Sequence, residues 1–97
     1  MKEKISLEEL TTILHEMEES FSDTTELDKK VLKAFKQSMI HGYTKYNINN
    51  IYVLIRGIMD VISTLFDNNI VGDILKVVTV EFIEKAQNHG YFKELEA

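Results

Sequence analysis

The chain has 97 residues and a net charge of −5, and it contains no cysteine, proline or tryptophan. That length holds one helical domain, 1–97, and the missing cysteines exclude a disulfide framework, a thiolate nucleophile and a Cys-ligated zinc. Apolar residues at 44% and charged residues at 28% exclude disorder, and the acidic excess argues against a general nucleic-acid binder.

The opening stretch MKEKISLEEL lacks the apolar run of a signal peptide. Ser6 and Glu9 fit a capping box, in which each side chain satisfies a free backbone N–H. Leu7, Leu10, Leu14, Met17 and Phe21 then recur by threes and fours, with Ile13 beside them, and predict a helix over about 7–21. Ser22-Asp23-Thr24-Thr25 breaks it. Asp23 with Glu26 offers a second box, and Thr25 is the alternative cap. Leu27, Val31, Ala34, Phe35 and Met39 form the inner stripe of a second helix, about 24–41. Gly42, after His41, suits the left-handed residue past its end, which leaves Tyr43 to Asn47 as a loop.

A third helix spans about 49–66, with Ile51, Leu54, Ile55, Ile58, Ile62, Leu65 and Phe66 on one face. Tyr52, Met59 and Val61 widen the stripe so far that this helix is expected to be the central one. Gly57 in its middle suggests close approach by a neighbour. Asp67-Asn68-Asn69 ends it. Ile74 to Ile83 is rich in β-branched residues, but no second segment exists for it to pair with as a strand. A helix over about 72–88 follows, started by Gly72 or Asp73 and ended by Gly90. Its inner face is Val71, Ile74, Leu75, Val78, Phe82 and Ala86, which leaves Val77 and Val80 outside. Residues 91–97 form a short tail. Short connections between four amphipathic helices predict an all-α, antiparallel up-down four-helix bundle.

No segment reaches the roughly 18–20 apolar residues of a membrane span. The expected protein is soluble and cytoplasmic, with peripheral membrane contact left open. His15, His41 and His89 lack metal-ligand spacing, and His41 and His89 suit helix ends. The acids Glu8, Glu9, Glu16, Glu18 and Glu19 face outward by the stripe count. No phosphate-binding loop or nucleophile elbow is present. The expectation is therefore no catalytic residue, no metal, no cofactor and no enzyme activity.

The candidate partner contacts are Lys29, Lys30, Lys33 and Lys36, which crowd the second helix, together with Arg56, Tyr91 and Phe92. Each has a plainer structural reading. The lysines can be a solvated face pairing with the acidic first helix, Arg56 can pair with Asp60 one turn on, and the two rings can cover an open end of the core.

Asp28-Lys29-Lys30-Val31-Leu32-Lys33-Ala34-Phe35 resembles the start of the second helix of the small immunity proteins of pediocin-like (class IIa) bacteriocins. Leu54 to Phe66, followed by Asn68-Asn69-Ile70, is similar to their third helix and the turn after it. The resemblance extends over about residues 7–88. It implies a non-enzymatic cytoplasmic protector without a cofactor. Such a protein acts at the inner membrane face by contact with a membrane permease, the mannose phosphotransferase system, engaged by the bacteriocin. Two other readings follow from the residues: a phage- or plasmid-type acidic helical inhibitor or adaptor, and a regulatory homodimer joined through the third helix. Nucleic acid is not an expected partner.

Overall fold

The computed structural model of the protein describes residues 2–21 and 24–95. Four α-helices succeed one another: α1 (Leu7–Glu19), α2 (Glu26–Tyr46), α3 (Ile51–Leu65) and α4 (Ile70–Asn88). One turn of 3-10 helix, Lys93–Leu95, follows. The arrangement is all-α, as expected, and the β-branched run Ile74–Ile83 is helical throughout.

Short polar side chains set the helix starts. The Ser6 hydroxyl accepts from the Glu9 N–H. The Glu9 side chain does not return the bond, so only half of the predicted box forms. At α2 the cap is Thr25, with Asp28 completing a full capping box. The rival pairing of Asp23 with Glu26 involves a residue outside those described. Asn50 caps α3 by accepting from the N–H groups of Tyr52 and Val53, and Asn69 caps α4 by accepting from Val71. These caps shift the expected starts of α3 and α4 by two residues each.

Two glycine assignments change. Gly42 does not end α2, which runs on to Tyr46 and stops at the left-handed Asn47, φ 56°. Its role is steric: a Cβ there would stand 3.3 Å from the Leu54 side chain of α3. Gly72 does not start α4. It lies buried within the first turn, where a Cβ would overlap the Phe66 carbonyl. Gly90 is the expected terminator, with φ 94° and the bonds Gly90 N–H to Gln87 and Tyr91 N–H to Ala86 that define a Schellman motif.

The expected centre of the fold is also corrected. α4, not α3, packs against each of the other three helices, while α2 and α3 touch only sparsely. Phe35 of α2 and Phe82 of α4 meet in the middle of the core, ring centroids 5.7 Å apart. Thr79 is buried on α4, its hydroxyl satisfied within the helix by the Leu75 carbonyl at 2.7 Å. Of the wide α3 stripe only Ile51, Leu54, Ile55 and Ile62 are buried, whereas Met59 and Leu65 are 55% and 70% exposed.

The segment before α1 adds a contact that periodicity does not foresee. Ile5 is buried, its N–H donates to Asn49, and Ile51 N–H donates to Glu3, so residues 3–5 run antiparallel to 49–51. Among the described residues no helix is long and apolar enough to cross a membrane.

Candidate functional site

The lysines of α2 do not share one face. Lys29, Lys33 and Lys36 line a cleft of about 460 Å³ between the end of α1 and α2, together with Glu18, Phe21 and Leu32. There Lys36 binds Glu18, and this bond holds the Glu18 carboxyl below its ordinary range. Lys29 pairs loosely with Glu26 at 3.7 Å. Lys30 points the other way, toward α3. Among the described residues no carboxylate lies within ion-pair distance of Lys30, Lys33 or Arg56. The expected pairing of Arg56 with Asp60 is therefore not made, and Arg56 stands exposed on α3.

Because α2 and α3 both lean on α4 and diverge from each other, an open groove of about 420 Å³ runs between them. Its depth is apolar, with Phe35, Met39, Leu54 and Leu75 at the core side. Its α2 wall carries Ala34, Ser38 and Gly42, one helical turn apart, and its α3 wall carries Gly57. Gly57 was expected to admit a close neighbour, yet a Cβ placed there meets nothing within 4 Å. The groove is thus a consequence of small side chains on both walls. The stripe of small residues along α2 is the signal in the sequence that could have revealed it.

Tyr91 and Phe92 are not presented to a partner. They are 1% and 2% exposed and close one end of the core. Phe92 packs edge-on against Tyr52, centroids 4.9 Å apart, and Tyr52 bonds to Glu94. Burial, reinforced by that carboxylate, pushes the Tyr52 hydroxyl up to about 12. The Tyr91 hydroxyl donates to the Lys4 carbonyl at 3.3 Å. Burial raises the Tyr91 hydroxyl well above its ordinary value, and the Tyr91 hydroxyl is in turn the largest cause of a lowered Glu9 carboxyl. The Lys2 ammonium sits 4.4 Å over the Tyr91 ring, pairs with Glu9 at 3.3 Å and donates to the His89 carbonyl at 2.9 Å. This network ties both ends of the described chain together.

The histidines serve structure. His89 is the C-cap of α4, as expected, and its Nε2 meets Glu16 of α1 at 2.7 Å. His15 pairs with Glu19 one turn on at 3.3 Å. His41 lies inside α2 because that helix continues past it, and stacks edge-on against Tyr46. Among the described residues no group of three or more His, Asp or Glu side chains is arranged to hold a metal ion. The chain matches no family model, no curated protein and no solved structure.

Proposed function

We propose that the protein is a bacteriocin immunity protein of the pediocin-like type: a non-enzymatic cytoplasmic protector that works by protein–protein contact at the inner membrane face. What carries the reading is the helical register of the segments that bear the resemblance. Asp28–Phe35 occupies the first turns of α2, Leu54–Phe66 fills α3 and its end, and Asn68-Asn69-Ile70 makes the turn into α4. Charge supports the same reading. Residues 26–66 hold six cations against three acids in a chain of net −5, and among the described residues Lys30, Lys33 and Arg56 have no carboxylate within ion-pair distance, so each is available to an anionic neighbour.

The acidic inhibitor reading would use α1, where Glu9 pairs with Lys2 and Glu18 with Lys36, Glu16 and Glu19 meet the histidines His89 and His15, and Glu8 is exposed. A pull-down that recovers a soluble enzyme or a transcription factor, and no permease, would favour it.

The test is expression of the chain in a bacterium sensitive to pediocin-like peptides. Protection against at least one member of a peptide panel is the expected result. Full sensitivity to the whole panel, with the protein folded and abundant, overturns the reading.

A further inference from the structure

We propose that the groove between α2 and α3 is the docking site for an amphipathic helix of a partner protein, one that carries carboxylates along the flanks of its apolar face. The inference rests on the reading that the protein works by protein contact. It adds where that contact is made and what it recognises.

Shape selects a helix. The α2 wall runs from Lys30 to Gly42, a rise of about 18 Å at 1.5 Å per residue, or three turns of a docked helix. An amphipathic helix lays side chains at i, i+4, i+7 and i+11 into a groove of this length. Ala34, Ser38 and Gly57 keep the walls low, so that a visiting backbone can approach closely.

Gly57 is the independent observation. It is exposed in the interior of α3, it has no neighbour within 4 Å of a Cβ, and its φ is not left-handed. Neither packing nor backbone geometry asks for glycine there, while glycine costs a helix interior about 1 kcal/mol relative to alanine. An occupant that needs the space supplies the missing reason.

Charge selects the flank. Lys30 and Ser38 are the polar side chains lining the groove, and Lys30 has no carboxylate partner among the described residues. A carboxylate on the flank of an apolar stripe would meet Lys30.

Two fluorescein-labelled synthetic helices of about 16 residues provide the test, both with leucine at i, i+4, i+7 and i+11. One carries glutamates at the flanking positions and the other lysines. Anisotropy titration should show the glutamate peptide binding at least about tenfold more tightly. Gly57→Leu, which grows into open space and should leave the far-UV circular dichroism intact and the melting temperature no lower, should abolish that binding. Lys30→Glu should weaken it about tenfold or more. Equal affinity for the two peptides overturns the proposal. So does binding unaffected by Gly57→Leu, or a dimer by light scattering that Gly57→Leu dissolves. Protection in the cell assay together with failure here removes the groove and leaves the function. Peptide binding without protection does the reverse.

Discussion

A methyl group added at Gly57 would meet no atom within 4 Å, whereas one added at Gly72 would overlap the carbonyl oxygen of Phe66. Local sequence cannot distinguish the two, since both glycines stand among apolar residues with helical spacing. Their roles are the reverse of the sequence reading, in which Gly57 admits a neighbour and Gly72 opens a helix. What decides is how tightly the α3–α4 turn folds back, and no residue type announces that. The energetic consequences have opposite signs. Gly57→Ala should stabilise the protein by about 0.5–1 kcal/mol, because alanine loses less backbone entropy in a helix. Gly72→Ala should destabilise it by about 1–3 kcal/mol, because a backbone atom has to move to make room. Urea unfolding of the two variants measures both. Equal effects at the two positions would show that the turn does not pack against Gly72 as described.

Helix number and the starts of α1 and α2 were legible at the scale of elements, because Ser6 and Thr25 place capping oxygens where the apolar spacing begins, whereas the caps Asn50 and Asn69 lie among neighbouring asparagines that pattern alone does not tell apart. The centre of the fold was not legible. The width of an apolar stripe says how much surface a helix would bury, not which neighbours it finds, and α3 leaves part of its stripe facing the groove. Of the two readings of the tail, core cover and partner contact, the structure bears out the first, and the sequence could not choose between them for a related reason. Tyr91 and Phe92 follow the terminating Gly90, and a ring in an irregular segment carries no periodic sign of its direction. Phe92 even holds a left-handed backbone, φ 54°, which an aromatic residue adopts only at a cost that its burial against Tyr52 outweighs. The tail is thereby joined to the N-terminal segment through Tyr91, and that joint has a pH signature. The Glu9 carboxyl is lowered in the folded protein, so its contribution is present above the ordinary carboxylate range and is lost as pH falls through it. The Tyr91 hydroxyl is raised, so its contribution is present below about pH 10 and is lost as pH rises further. Tyr91→Phe removes the hydroxyl and with it the largest cause of the Glu9 shift. The variant's melting temperature plotted against pH should therefore run flatter than that of the parent at both the acid and the alkaline end. Parallel curves would mean that Tyr91 and Glu9 are not coupled.

The two ends of the described chain meet across the whole molecule. The Lys2 ammonium donates to the His89 carbonyl and Tyr91 to the Lys4 carbonyl, each pair 87 residues apart. Most other contacts join helices that are neighbours in sequence or pack on α4. Closing the longest loop gains little until the helices are docked, since the entropy of closure precedes the contacts that offset it. The end-to-end network should therefore form after the rate-limiting step of folding. The chain also has no proline, so no X–Pro isomerisation can add a slow phase. Stopped-flow refolding should then be a single exponential, complete well before tens of seconds. Lys2→Ala and Tyr91→Ala remove different parts of the same joint. Both should leave the folding limb of the chevron in place and raise the unfolding limb, by about tenfold for each ~1.4 kcal/mol of stability lost. A slower folding limb in either variant would place the meeting of the ends inside the folding nucleus, and the helices would then dock around that joint rather than ahead of it.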